Sequence, residues 1–272
     1  MEKTKSSFWG STQLAEKKWY YIHGGTLELW LQKRENGEVI VGNRRSAAAS
    51  DAALAWTELG SNQPEKNEDS SVKWDWYAGL AGREITVLPA MPDRPLVLKP
   101  QLSRHILPGC KTQLLVFIPV WLQIYSGEES SQNMIAQFPS EVLSSTWFGE
   151  MQSGELCYAL ERDLLENRPA VALSPLSAVC TLNIHNDSQA LLDFQRMALH
   201  AEYLSIYTDG HSLYTNEVSV KFNGVDQISQ LKYSPRGPKW SGSLTRLKGP
   251  YEHPNRSLLK RSFYFIKALT EM

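Results

Sequence analysis

The feature that most constrains the fold is the apolar run LLVFIPVWLQIY at Leu114–Tyr125. Its even-numbered positions are all aliphatic, whereas its odd-numbered positions are bulkier and partly polar. A period of two in β-branched and aromatic residues is typical of a β-strand. Pro119 has no amide hydrogen for a ladder bond, so we expect a bend or an edge position there. The run therefore predicts a central core strand, against which the rest of the chain packs as further strands.

Similar strand patterns recur along the chain, with no long helical period between them. Ala178–Ile184 alternates between two faces, Val218–Phe222 is a further strand, and Ser144–Phe148 with Glu155–Leu160 indicates a hairpin. A chain of 272 residues can bury the core of one large all-β unit or of two packed sandwiches. We therefore predict an all-β fold of β-sandwich architecture, with two packed antiparallel β modules and little helix.

Three stretches bear on the boundaries of these modules. Gly24-Gly25 is a tight-turn dipeptide between two strand-like runs. The alanine-rich residues 46–57 favour a helix by propensity, although the same alanines could line a strand in a crowded sheet. The proline-rich residues 85–110 indicate a stiff linker with an edge strand at Leu96–Leu98. We expect an N-terminal module at residues 1–95, a sandwich module at 96–225 and a basic C-terminal segment at 226–272 that completes the fold.

The composition predicts a cytoplasmic protein. The opening MEKTKSSFWGST has no apolar stretch of the kind found in secretory signals. The longest apolar run is about a dozen residues, which is short of the ~20 that a spanning helix needs. Cys110, Cys157 and Cys180 are odd in number and far apart, which suits a reducing compartment better than a disulfide framework or a zinc site.

Charge is unevenly distributed along the chain. Residues 126–177 contain eight acids and two arginines, whereas residues 232–267 contain nine bases and one acid, Glu252. A segregated basic segment suggests an anionic partner, either a membrane surface or, less favoured, nucleic acid. The alternative is that the two oppositely charged regions face each other within the fold or across a dimer. If the segment is exposed, the predicted binding residues are Lys239, Arg246, Lys248 and Arg256.

No motif in the sequence specifies catalysis. A phosphate-cradling loop, HExxH, paired CxxC and a GxSxG elbow are all missing from it, so we predict no catalytic residue, no metal site and no cofactor. His200, Glu202, Asp209 and His211 could supply metal ligands on paper. We favour the alternative that Asp209 serves a turn and that His200 is a solvated strand residue. An enzyme with an unrecognised site near His105 or His200 is retained as a minority hypothesis.

Two further features admit a binding or a structural interpretation. Asp93-Arg94 lies between two prolines, which stiffen it as a binding loop or as a structural salt bridge, and we favour the salt bridge. The nine tryptophans could form a carbohydrate platform. Because Trp121 and Trp147 lie inside apolar strand patterns, we predict instead that both are core residues.

Several stretches, taken in order, resemble domain-of-unknown-function family 432. The resemblance extends from about Trp9-Gly10 to Phe222 and rests on core and turn residues. It implies an uncharacterised family and, because its members are encoded near small mechanosensitive channels, a membrane-associated accessory role. The stretches are LPAMPDRPLVLKP at 88–100, LLVFIPVWLQIY at 114–125, STWFGEMQSGELCYAL at 145–160 and TLNIHNDSQALLDF at 181–194.

These observations support three functional hypotheses. The first is a non-enzymatic binding or accessory protein, whose partner is most simply another protein and which could form oligomers. The second is a peripheral protein that docks on an anionic surface through its basic C-terminal segment, as an accessory to a mechanosensitive channel for example. The third is an enzyme with an unrecognised site. An enzyme would require polar groups that converge in a pocket, whereas the other two hypotheses would not. The sequence does not show whether such a pocket exists.

Overall fold

The computed structural model describes residues 8–61, 71–78, 84–126, 133–167, 174–224, 230–239 and 242–253. Within these ranges the chain forms twenty strands and a single 3-10 turn at Ala201–Tyr203, and the described part contains no α-helix. In the same ranges, no helix has the length and apolar character needed to cross a membrane. The predicted all-β fold is confirmed.

The strands are numbered in chain order. They are β1 (Gly10–Gln13), β2 (Trp19–Lys33), β3 (Val39–Gly60), β4 (Lys73–Tyr77), β5 (Glu84–Ala90), β6 (Leu96–Lys99), β7 (Arg104–Ile106), β8 (Lys111–Pro119), β9 (Trp121–Ser126), β10 (Asn133–Pro139), β11 (Ser145–Phe148), β12 (Glu155–Glu161), β13 (Ser177–Asn186), β14 (Leu192–Phe194), β15 (Met197–Leu199), β16 (Ile206–Thr208), β17 (Leu213–Thr215), β18 (Val218–Phe222), β19 (Gln230–Tyr233) and β20 (Thr245–Lys248).

The chain divides into two compact units that are not contiguous in sequence. The first contains the described residues up to Ala90, together with those of 120–141 and 174–176. The second contains the described residues of 91–119, 142–173 and from Ser177 onward. The expected modules at 1–95 and 96–225 are contiguous, so they differ from these units at 120–141, although the first break falls close to the expected position.

The first unit is a β-sandwich of two antiparallel sheets. One sheet has the order β2-β3-β4 and the other the order β1-β5-β9-β10. Leu29 and Leu31 of β2 pack in one cluster with Val87 of β5 and Ile124 of β9, and all four are fully buried. The sandwich thus forms because each sheet turns an aliphatic face to the other.

The alanine-rich helix predicted at residues 46–57 is wrong, because these residues belong to the 22-residue strand β3. Gly24-Gly25 is likewise not a turn but an irregularity inside β2, where the pairing register shifts and Gly25 has a φ of 57°. The actual turn is at Asn36-Gly37, with Gly37 at a φ of 81°. Pairing along the whole length of β2 outweighs the local helix propensity of the alanines.

The second unit is organised on β13. This strand pairs with β8 antiparallel, and with β17 and β18 parallel, within a sheet of order β19-β18-β13-β17-β16-β20. A second sheet has the order β11-β12-β6-β15, and β7 pairs with β14. The β11–β12 hairpin and the strand at Val218–Phe222 are confirmed.

The long apolar run is not one central strand. Its first half ends β8 in the second unit, and Trp121–Tyr125 lies in β9 of the first unit, with Val120 between them. The strand is interrupted after Pro119, where β8 ends, and the amide of Val120 donates to the Leu176 carbonyl, 2.9 Å away. Each half is buried in the core of a different unit, which explains why the whole run is apolar.

Two other predictions are corrected. Residues 85–110 are not a linker, since they contain β5, β6 and β7, and β6 is an internal strand flanked by β12 and β15 rather than an edge strand. Trp121 is buried as predicted, but Trp147 is 49% exposed. The Trp147 side chain projects from β11 at the edge of its sheet, where no further described strand covers it.

Candidate functional site

The candidate site lies on the polar face of four neighbouring strands, β8, β13, β18 and β19. Strict alternation builds this face. In β18, Val218, Val220 and Phe222 are buried, while Ser219 and Lys221 are exposed. The same alternation in the other three strands leaves two polar residues of each on this side of the sheet.

The register of the strands arranges these eight side chains in two transverse rows. Neighbouring strands are about 4.8 Å apart, so each row spans roughly 14 Å over three steps. The residues line a cavity of about 600 Å³, a size typical of small-molecule sites. We call this cavity the polar groove. Its first row is Lys111, His185, Lys221 and Gln230, and its second row is Gln113, Asn183, Ser219 and Lys232.

Positive charge predominates in the first row. Lys221 Nζ lies 2.7 Å from Asp187 Oδ2, and the hydrogen bond from Lys221 holds the pKa of Asp187 below its usual value. His185 Nε2 is 3.8 Å from Asp187 Oδ1. Within the ranges that the structure describes, Lys111 and Lys232 form no ion pair, although the charge of Lys111 also helps to lower the pKa of Asp187. These two lysines are therefore available to an anion.

Amide groups are pre-arranged in the second row. Gln113 Nε2 donates to Asn183 Oδ1 at 3.0 Å, and Asn183 Nδ2 donates to Glu217 Oε2 at 3.1 Å. The other oxygen of Glu217 accepts the backbone N–H of Lys239 at 3.2 Å. The amides are thus oriented before any ligand arrives, which lowers the entropic cost of binding.

The predicted site residues lie outside the polar groove. The Tyr158 hydroxyl donates to Asp93 Oδ1 at 3.0 Å, and the Arg94 guanidinium lies 5.3 Å from the centre of the Tyr158 ring. The two charged residues thus contact β12 rather than a cavity. Arg246 and Lys248 lie on β20, at the edge of the sheet opposite β19. Lys239 contributes its backbone amide to Glu217, and Arg256 lies outside the described residues.

His200 is buried, so the expectation of a solvated residue is wrong. Its Nδ1 is 2.7 Å from Glu202 Oε1 and its Nε2 is 3.7 Å from Glu155 Oε1, and its ring stacks on Tyr203. Burial lowers the pKa of His200, but Glu202, Glu155 and Glu252 outweigh burial and leave that pKa raised. We call His200, Glu155 and Glu202 the buried cluster.

The remaining polar candidates show no catalytic or metal-binding arrangement. Asp209 serves its turn as predicted, accepting from the amides of His211 and Ser212. Burial raises the pKa of the Cys157 thiol to about 12, so it is not a thiolate at neutral pH. Among the residues that the structure describes, no group of three or more His, Cys, Asp or Glu side chains could hold a metal ion. His105 is exposed and lies 3.4 Å from Asp193.

A family model described as a protein of unknown function, DUF432, matches residues 8–267. The chain belongs to the DUF432 family. The match covers nearly the whole length and confirms the family resemblance of the sequence. No curated protein and no solved structure matches the chain. The description of DUF432 assigns no activity.

The groove of this DUF432 chain is not evident in its sequence. The eight polar side chains of its two rows come from four strands between Lys111 and Lys232, and each occupies an ordinary outward-facing strand position. Among the described bases of residues 232–267, Lys232 is the one that lines the groove. The sequence signal for the groove was the alternation of polar and apolar residues in β18 and β19. That alternation identifies the outward face of each strand, but not the strands that become its neighbours.

Proposed function

We propose that this DUF432 protein is a non-enzymatic binding protein that holds a small anionic ligand in the polar groove. The observation that carries the proposal is that Lys111, Lys221 and Lys232 line one cavity and that, within the described ranges, Lys221 is the one of the three with an ion pair to a carboxylate. Hydrogen bonds from a charged donor to an anion are about twice as strong as neutral ones. An anion in the groove would replace the water that solvates Lys111 and Lys232.

Binding is favoured over catalysis by the geometry of the only histidine among the described lining residues. The 3.8 Å between His185 and Asp187 is longer than a hydrogen bond, so Asp187 does not orient the imidazole as a general base requires. The other described lining residues carry amides, hydroxyls and lysine ammonium groups, together with the aliphatic side chains of Ile184 and Val220. They suit the recognition of a ligand rather than its chemical conversion.

The test is isothermal titration of inorganic phosphate into the protein at constant ionic strength. The double variant Lys111→Gln/Lys232→Gln should weaken phosphate binding by about tenfold or more, because it removes both lysines that lack a carboxylate partner. The matched control Lys239→Gln/Arg246→Gln removes the same charge outside the groove and should retain the affinity of the wild type. Equal losses in both variants would show that affinity follows net charge alone, and the proposal would be wrong.

A second candidate is docking on an anionic membrane through the basic C-terminal segment. It is favoured by the exposure of Lys239 and Arg246. The described bases lie on opposite edges of the sheet, on β20 and next to β19, which weakens the case for one docking face. Each base at a membrane surface contributes about 1 kcal/mol. The variant to compare with wild type changes Lys239, Arg246, Lys248 and Arg256 to Gln.

Sedimentation with anionic and neutral vesicles separates the two candidates. If the segment docks, the wild type should pellet with anionic vesicles at low salt, less so at physiological salt, and the four-residue variant should not. The groove variant Lys111→Gln/Lys232→Gln serves as the control that should still pellet. Absence of pelleting at low salt would exclude membrane docking.

A further inference from the structure

The polar groove is chemically divided between its two rows. The first row carries Lys111, His185 and Lys221, which are the cationic or protonatable groups, and the second carries Gln113, Asn183 and Ser219 before ending in Lys232. The rows are two residues apart along each strand, which is about 7 Å. A ligand that fills the groove therefore meets mostly cationic groups along the first row, which ends in Gln230, and mostly neutral hydrogen-bonding groups along the second, which ends in Lys232.

The neutral row needs a partner that both donates and accepts hydrogen bonds. Gln113 Nε2 uses one of its two N–H groups on Asn183, and Asn183 Nδ2 uses one of its own on Glu217, so each amide has a second N–H to donate and the carbonyl oxygen of Gln113 can accept. Ser219 can act in either role. Hydroxyl groups donate and accept, whereas the carboxylates of a simple di-acid only accept. The neutral row therefore fits a hydroxyl-rich body better than a second anionic group.

The composition of the walls argues against nucleotides. Among the described residues that line the groove there is no Phe, Tyr or Trp side chain, and the imidazole of His185, which lies in the cationic row, is the single ring on which a base could stack. Stacking on an aromatic ring is the usual way in which proteins hold an unpaired base. The aliphatic residues of the lining, Ile184 and Val220, are themselves buried and offer little apolar surface.

From this division we infer that the ligand is a small phosphorylated sugar or polyol. Its phosphate lies against Lys111 and Lys221, and its hydroxyl groups contact Gln113, Asn183 and Ser219. Asp187 neutralises part of the charge of Lys221, which leaves the first row suited to one phosphate group rather than to several. This inference rests on the proposed function, since it requires that the groove binds anions at all. The same chemistry occurs in free sugar phosphates and in phosphoinositide headgroups.

The inference is tested by titrating four probes into the full-length protein: inorganic phosphate, glucose 6-phosphate, glucose and AMP. Glucose 6-phosphate should bind at least tenfold more tightly than inorganic phosphate and AMP, and glucose alone should bind most weakly. The variant Gln113→Ala/Asn183→Ala should reduce the affinity for glucose 6-phosphate to that for inorganic phosphate, while inorganic phosphate itself binds unchanged. Gln101→Ala, an exposed amide outside the groove, is the control that should retain the preference.

The outcomes distinguish an error in the inferred ligand class from an error in the proposed function. If inorganic phosphate binds through Lys111 but glucose 6-phosphate binds no more tightly, the ligand class is wrong and the proposed function stands. Tighter binding of AMP would also overturn the ligand class. If no probe binds at millimolar concentration, both are wrong.

A second experiment, with lipid vesicles, then distinguishes a lipid headgroup from a free sugar phosphate as the ligand. Vesicles containing phosphatidylinositol 4-phosphate are compared with vesicles of equal charge containing phosphatidylserine. Preferential pelleting with the phosphoinositide that is lost in Gln113→Ala/Asn183→Ala supports the inference with a lipid headgroup as the ligand. Equal pelleting with both vesicles, together with tight binding of glucose 6-phosphate, supports it with a free sugar phosphate.

Discussion

The polar groove and the buried cluster lie in the same unit and contain similar groups, yet they differ in how their charges are satisfied. In the buried cluster, His200 is enclosed between Glu202 and Glu155, and only about 8% of its side chain is exposed. In the groove, Lys111 and Lys232 are exposed and form no ion pair within the described ranges. Histidine next to carboxylates thus contributes to the structure where it is buried, whereas unpaired exposed lysines are available to a ligand.

The largest expected effect comes from His200→Leu. Removing the imidazole leaves the largely buried carboxylate of Glu202 without its cation, which typically costs about 3–5 kcal/mol, so we expect roughly that loss in the free energy of unfolding. Chemical denaturation monitored by tryptophan fluorescence measures it. His211→Leu, an exposed histidine of the same unit, is the control and should change stability by less than about 0.5 kcal/mol. A small loss in His200→Leu would mean that the cluster does not support the fold.

A comparison within β13 separates the core beneath the groove from its lining. Ile184 is 1% exposed, and Ile184→Ala should destabilise the protein by roughly 2–5 kcal/mol, as is usual for an emptied core site. His185→Ala, one position further on the opposite face, should cost far less. The denaturant midpoints of the two variants provide the measurement. Equal losses would indicate that the groove face is also packed.

The buried cluster should make stability depend on pH. The pKa of His200 is raised, so its stabilising contribution is complete below its ordinary value of 6.5 and is lost as the pH rises through the raised pKa. Burial raises the pKa of Glu155, which acts in the same direction from about its ordinary value of 4.5 upward. The melting temperature should therefore fall as the pH rises across this window.

His200→Leu tests the origin of this pH dependence. The variant should flatten the upper part of the profile, because the residue that loses its proton there is absent. A slope above pH 6.5 that is unchanged in the variant would assign it to other groups.

The smallest expected effect on stability is that of Lys111→Gln/Lys232→Gln. Exposed lysines without a carboxylate partner stabilise the fold little, so the free energy of unfolding should change by no more than about 0.5 kcal/mol. Thermal unfolding without ligand measures this. Added phosphate should raise the melting temperature of the wild type but not that of the variant. A large loss of stability without ligand would show that these lysines are structural.

Some of the groove and the cluster was accessible from the sequence. The alternation of Ala178–Ile184 identified a β-strand, but both of its faces are buried up to Leu182 and only Asn183 is partly exposed, whereas Val218–Phe222 was predicted with its observed bounds. His200 and Glu202 were paired by their spacing, but their burial was not foreseen. The burial of His200 depends on Glu155 of β12 and Tyr233 of β19, and both residues are remote from His200 in sequence.

The sequence by itself determined the class of fold, its family and most of its strands, because the period of two and the turn residues are local properties of the chain. Only the tertiary structure decided that Leu114–Tyr125 is shared between two units, that residues 46–57 form a strand, and that the lysines of three separate strands meet in one groove. These features depend on which strands become neighbours. Pairing between residues far apart in sequence is stabilised by the burial of both partners, and no local pattern records it.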